Sequence, residues 1–411
     1  MNENCKNIVY GGVKIIRQFI IFAIVGASTG ILDLIDSAFA NNIDIDSICV
    51  MSSFAILIWL INAVCRLGTY GYTVKQRHES ECFILQIVPS IIIGILLIMF
   101  RNYIPHLYAL TSKQYELFSK CLLYEGIFLI FPTTEYFFNK YLQLKCRNKD
   151  IIISNIILYG SMILLDALVI YMKGNCYHLV ITTGVSNMIT LIYYLVFCKL
   201  YKIFKQPHKD KIIECLKSAK DLLIDRLFGK ITIVTCNILA THLGTELYAI
   251  HSVCYSIICG AEEVTNALYL NQLTKLKKFT SFKEKYKECI KNSKRTYIPA
   301  VLMNYCIVFL MVLPMKGELN LIKVLFFAGI YGTQCIFIQL YENHRGFLTS
   351  CERTESLRYG GLIGIIIRIP VSLISILTPI GIYGFAISCP LDFFCRGLYY
   401  KYQSKKILRD I

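Results

Sequence analysis

Two aspartates, Asp33 and Asp36, close a long apolar run in "GILDLIDSAFA". A carboxylate there is expensive, because an ionisable side chain inside a membrane-spanning helix costs about 2.5 to 3.5 kcal/mol on insertion scales. Depth identifies its company. At about 1.5 Å per residue, Asp36 lies about 6 Å from the outer end of its helix. Asp166 in "MILLDALVIY" and Thr183 in "VITTGVSN" each lie about 9 Å from the same face. Two carboxylates and a hydroxyl at one level form an oxygen-rich place for Na⁺ or H⁺, since hard cations take several oxygen ligands and close carboxylates share a proton. A structural reading stands beside this one, with Asp36 as a helix-end cap and Asp166 bonded to backbone. Asp33, a turn deeper, has no such match. In the second half of the chain, Lys230 can pair with Glu262 or Glu263, and Arg368 and Asp392 both fall near mid-depth. Buried pairs of this kind serve structure as readily as coupling. Glu125, also mid-depth, has no evident basic partner.

The elements that hold these residues are transmembrane helices. In the 411 residues, 55% are hydrophobic, 17% are charged and mean hydropathy is +0.54, which excludes an ordinary soluble domain. Twelve apolar spans are expected, at 15–39, 47–68, 83–100, 114–138, 151–172, 177–198, 222–241, 246–270, 297–314, 320–342, 359–378 and 381–400, each able to cross about 30 Å of hydrocarbon. The net charge of +16 is concentrated in the loops after the even-numbered spans, through Lys75 and Arg77, Lys140 to Lys149, Lys199 to Lys220, Lys275 to Arg295, and Arg345 to Arg358. The other loops carry only Arg101, Lys113, Lys173, Lys316 and Lys323. The positive-inside rule therefore places both termini in the cytoplasm. That placement also accounts for the basic total without nucleic acid. The 18 cysteines are scattered through apolar segments without metal-site spacing, so they read as small hydrophobes with reduced thiols. Pro132, Pro299, Pro370 and Pro390 fall inside spans, where they can provide bending points.

The chain also repeats itself. "YLQLKCRNK" lies on "FLTSCERTE", and "CYHLVIT" on "IYGFAIS", both about 206 residues apart. An all-α architecture follows, with an amino-terminal six-helix lobe over 1–204, a cytoplasmic linker over 205–221 and a carboxy-terminal six-helix lobe over 222–411. Both lobes have the same orientation and enclose a cavity. Span 1 resembles a cleavable secretory signal, but the repeat requires it in the mature chain.

Several segments resemble the multidrug and toxic compound extrusion (MATE) transporters: "LIDSAFA" in span 1, "GSMILLDALVIY" and "ITTGVSN" in spans 5 and 6, "RGFLTSCERT" after span 10 and "PIGIYGFAISCPLDFFCRGLYY" at span 12. The resemblance implies a V-shaped, two-lobed antiporter in the plasma membrane that exports amphipathic cationic compounds in exchange for H⁺ or Na⁺. It further implies a monomer whose partners are a small-molecule substrate and the lipid bilayer, with no cofactor beyond the coupling ion. By position, Asp36 and Asp166 become the coupling site, with Thr183 contributing oxygen. Met162 stands where the family often has Asn, and a thioether is a poor Na⁺ ligand, which favours H⁺. A flippase for a lipid-linked oligosaccharide or polysaccharide precursor, from the same superfamily, is the alternative. A membrane enzyme finds no motif: there is no HExxH, no GxSxG and no phosphate-binding glycine loop.

Overall fold

The computed structural model describes residues 39–40, 43, 45–107, 111–204, 206–243, 245–312 and 321–409. Asp33, Asp36 and almost all of span 1 lie outside them. The other eleven spans are helices in the expected places. They are α1 (Ile45–Cys65), α2 (Leu67–Lys75), α3 (Glu79–Phe100), α4 (Ser112–Phe128), α5 (Ile130–Leu144), α6 (Asn148–Tyr171), α7 (Cys176–Val196), α8 (Lys209–Ala240), α9 (Thr245–Leu276), α10 (Phe282–Val312), α11 (Leu321–Gly332), α12 (Gln334–Ser350), α13 (Glu355–Leu377) and α14 (Ile382–Arg409). Among the described residues, five helices are long and apolar enough to cross a membrane by themselves, or six when the bent pair α4–α5 is taken as one span. Several others carry charged extensions, as α10 does from Lys283 to Arg295, and these dilute their hydropathy. The protein is a multi-pass membrane protein.

Three of the expected spans are interrupted, the first at Arg66 between α1 and α2. α4 and α5 meet at 52°, and Pro132 sits just past the break. Lacking an N–H, Pro132 cannot bond the carbonyl four residues back, so the helix bends where that bond is missing. α11 and α12 break in the same relative place, at Thr333. The repeat extends to backbone detail. Cys146 and Glu352, 206 residues apart, both adopt a left-handed conformation just after a helix. Each is followed by the same six-to-one closure, Arg147 N–H to the Leu142 carbonyl and Arg353 N–H to the Leu348 carbonyl, both at 3.0 Å. This Schellman geometry satisfies carbonyls that a helix end otherwise leaves open.

The described residues divide into two compact units between Leu223 and Ile224, inside α8. The expected linker is thus helical from Lys209 onward. In the first unit, α1, α3, α4 and α7 pack through Val50, Phe54, Leu97, Phe118, Cys121 and Val180. α3 and α4 approach closely at Gly94 and Gly126, where a Cβ on either residue falls 2.6 Å from the other's carbonyl oxygen. Ile91, Ile92, Ile95 and Met99 of α3 turn outward, as lipid-facing side chains do. In the second unit, α12 is the polar centre, buried at nearly every position from Tyr341 to Thr349. Several of its amides are bonded to neighbouring helices. Gln272 Nε2 of α9 donates to Asn343 Oδ1 (2.5 Å) and to the Cys289 carbonyl (3.1 Å), while Gln339 Nε2 donates to the carbonyls of Thr296 (3.1 Å) and Tyr297 (2.7 Å). Interhelical bonds of this kind hold helices together in a solvent that offers no hydrophobic drive. The cysteines of the described residues are unbridged and mostly buried.

Candidate functional site

Asp166 is fully buried on α6, one turn beyond the buried Met162. Its hydroxyl partner is Thr182, which donates to Asp166 Oδ1. Thr183, the sequence-based choice, instead donates to the Leu179 carbonyl of its own helix at 3.0 Å. One residue is about 100° around a helix, so matching depth alone does not select the correct face. Ala40, just past span 1, packs with Val169 and Leu179, each within a turn of Asp166 or Thr182. Asp36 and Asp33, which complete the expected site, lie outside the described residues.

A second polar group in the first unit escaped the sequence reading. Glu135 Oε1 accepts from the Tyr194 hydroxyl (3.0 Å) and from Asn139 Nδ2 (3.3 Å), and Asn139 also donates to Asn155 Oδ1 (3.0 Å). Tyr194 contacts Ser154 Oγ at 3.0 Å. Arg66, at the junction of α1 and α2, stacks on the Tyr136 ring at 3.7 Å, and Lys140 lies 5.3 Å from the same ring. Arg66 and Glu135 were detectable as charges within expected spans. Lys140 is part of α5 and half-buried, not in a loop.

The charges of the second unit pair differently from the depth-based expectation. Asp392 does not pair with Arg368. It binds Arg396, one turn along its own helix, through two parallel bonds of 2.5 and 2.6 Å. On α13, Gly364 packs against that pair, one turn before Arg368: a Cβ there falls 3.0 Å from Asp392 Oδ1. Arg345, which the charge pattern assigns to a loop, is only 1% exposed within α12. It contacts Asp225 Oδ2 at 3.1 Å and Glu342 Oε2 at 3.5 Å, beneath the rings of Tyr269 and Tyr341. Lys230 is half-buried on α8, but the side chains of Glu262 and Glu263 lie outside the described residues.

Arg368 stands apart from these compensated pairs. It is 6% exposed in the middle of α13, and no carboxylate lies within ion-pair distance of it among the described residues. Its Nε has no hydrogen-bond partner. The Tyr255 ring lies 5.7 Å from its guanidinium. His251 packs on that same ring and shares a 2.5 Å contact with the Tyr331 hydroxyl. A guanidinium with open donors, bordered by tyrosines and an imidazole, is suited to receiving an anion. Among the described residues no cluster of three His, Cys, Asp or Glu side chains could hold a metal.

Residues 71–233 match the family described as polysaccharide biosynthesis protein. No curated protein matches the chain. Several solved structures share its fold. An outward-facing multidrug resistance MATE transporter of the MOP superfamily superposes with a TM-score of 0.77 at 14% identity, covering 96% of both chains. A MOP superfamily transporter from Pyrococcus furiosus, described as having a binding pocket of reversed polarity that suggests a different function, gives 0.78 at 13% identity over 97% of this chain and 98% of that one. A Vibrio cholerae MATE transporter mutant gives 0.77 at 10% identity over 97% and 98%. The fold is therefore that of the MATE transporters.

Proposed function

We propose that the protein is a flippase that carries a lipid-linked, phosphate-bearing saccharide precursor across the membrane. The observation that carries this reading is Arg368, buried at mid-span with no carboxylate within ion-pair distance among the described residues. Keeping it there costs about 2.5 to 3.5 kcal/mol. The Asp225–Arg345–Glu342 and Asp392–Arg396 groups offset that cost internally, whereas Arg368 recovers it by binding an anion. A diphosphate group crossing the bilayer needs such a cation at mid-depth. The match of residues 71–233 to a polysaccharide biosynthesis family supports this cargo over a cationic drug.

A second reading has its own observation. Asp166, fully buried and bonded to Thr182, suits a proton- or Na⁺-coupled antiporter that exports amphipathic cations, with Asp36 four residues from Ala40 completing the site. The basic loops support cytoplasmic termini and a plasma-membrane location under either reading. The two separate in proteoliposomes. A fluorescent polyprenyl-diphosphate sugar in the outer leaflet should become protected from a membrane-impermeant quencher, and ethidium should not be accumulated under a pH or Na⁺ gradient. Gradient-driven ethidium uptake without lipid movement sinks the flippase reading.

A further inference from the structure

In the first unit, a cavity of about 700 Å³ opens at the Lys/Arg-rich end, among the start of α3, the start of α6 and the segment joining α7 to α8. Ligand sites commonly measure about 300 to 1,000 Å³, so it can hold a phosphate head group. Its lining includes Arg147, Lys199, Lys202, Lys211, Glu79 and Glu81. Two of these are already engaged: Arg147 holds Asp150 Oδ2 at 2.6 Å, and Glu79 holds Lys145 at 3.2 Å. Glu81 accepts the backbone N–H of His208 at 3.2 Å. Among the described residues Lys199, Lys202 and Lys211 have no acidic partner within ion-pair distance, so three lysines line the cavity against one remaining carboxylate. The segment joining α7 to α8 also carries exposed aromatics: Phe197, Tyr201 and Phe204 are 71%, 52% and 51% exposed. Aromatic side chains with lysines beside them mark the level of the lipid head groups. Basic pockets between membrane helices on the cytoplasmic side bind anionic head groups, at roughly a factor of five per lysine.

We infer that this cavity is a binding site for the phosphodiester head group of an anionic phospholipid, held by Lys199, Lys202 and Lys211. The site lies within the first unit and is independent of which cargo the protein moves. A bound lipid ties α3, α6 and the α7–α8 segment together at the membrane surface.

The test uses the full chain in neutral detergent, with native mass spectrometry and thermal unfolding as readouts and cardiolipin, phosphatidylglycerol, phosphatidylcholine and inorganic phosphate as probes. Wild type should retain and be stabilised by cardiolipin and phosphatidylglycerol, and not by phosphatidylcholine or inorganic phosphate at equal concentration. Lys199→Gln/Lys202→Gln/Lys211→Gln should bind the anionic lipids about 100-fold more weakly. A matched control, Lys278→Gln/Lys283→Gln/Lys287→Gln, removes the same charge elsewhere and should bind as wild type does. Unchanged anionic-lipid binding in the first triple variant, equal loss in the control, or an equal response to inorganic phosphate each overturns the assignment.

Discussion

Replacing Asp225 with Asn leaves the Arg345 guanidinium buried with only part of its compensation. Arg345 is 1% exposed and has two carboxylates, Asp225 at 3.1 Å and Glu342 at 3.5 Å. At an effective dielectric of about 20, each attraction is worth about 5 kcal/mol before desolvation. Removing one partner of a buried pair typically costs about 3 to 5 kcal/mol. Glu342 remains, and the Tyr269 and Tyr341 rings lie 4.9 and 5.7 Å from the guanidinium, so the loss should sit near the lower limit, about 3 kcal/mol. Combining Asp225→Asn with Arg345→Met removes the uncompensated cation but leaves Glu342 buried without it, so the double variant should regain only part of that loss. The assay is unfolding in mixed detergent–dodecyl sulfate micelles, followed by helicity. A single variant within about 0.5 kcal/mol of wild type, or a double variant weaker than the sum of both singles, would falsify the view that Asp225 compensates Arg345.

Other perturbations probe the remaining sites. Thr182→Val removes the donor to Asp166 and should shift the pH profile of transport, whereas Thr183→Val loses only a bond to its own helix and should leave the profile in place; the reverse order refutes the assignment of Thr182. Tyr194→Phe leaves Glu135 and Ser154 without a shared donor and should cost about 1 to 3 kcal/mol, more than Tyr400→Phe, which gives up one 3.2 Å bond to the Leu357 carbonyl. Outside the spans, a hydrogen bond from Arg77, with Lys75 nearby, holds the Glu214 carboxyl below its ordinary range. Its folded value lies below its unfolded one, so its stabilisation is present above the unfolded value and lost as pH falls through the folded one. The stability difference between wild type and Glu214→Gln should therefore be small and salt-sensitive near neutrality, because the pair is exposed, and should vanish in acid once the carboxyl is protonated in the folded protein too.

Eleven spans were readable because a run of about 20 apolar residues has few alternatives to a membrane helix. The repeat was readable for a related reason: its letters agree poorly, yet "YLQLKCRNK" and "FLTSCERTE" close their helices with the same hydrogen bonds. Azimuth was not readable. Thr182 and Thr183 share a depth and point to different faces, and Asp392 found Arg396 on its own helix rather than Arg368 on α13. The i,i+4 spacing of Asp392 and Arg396 was the available signal, since residues four apart on a helix are neighbours. Arg345 was misplaced because a charge next to a basic loop looks topogenic, and only packing reveals that α12 continues past it as a buried polar core.

Transport by Arg368 variants tests the central claim most directly. A guanidinium–phosphate contact is worth about 1.5 to 3 kcal/mol, so Arg368→Gln should slow translocation of a polyprenyl-diphosphate sugar by about tenfold to a hundredfold in proteoliposomes, and Arg368→Lys, which keeps the charge, should retain more of the rate. Wild-type translocation by well-inserted Arg368→Gln contradicts a role for this arginine in meeting the anionic cargo.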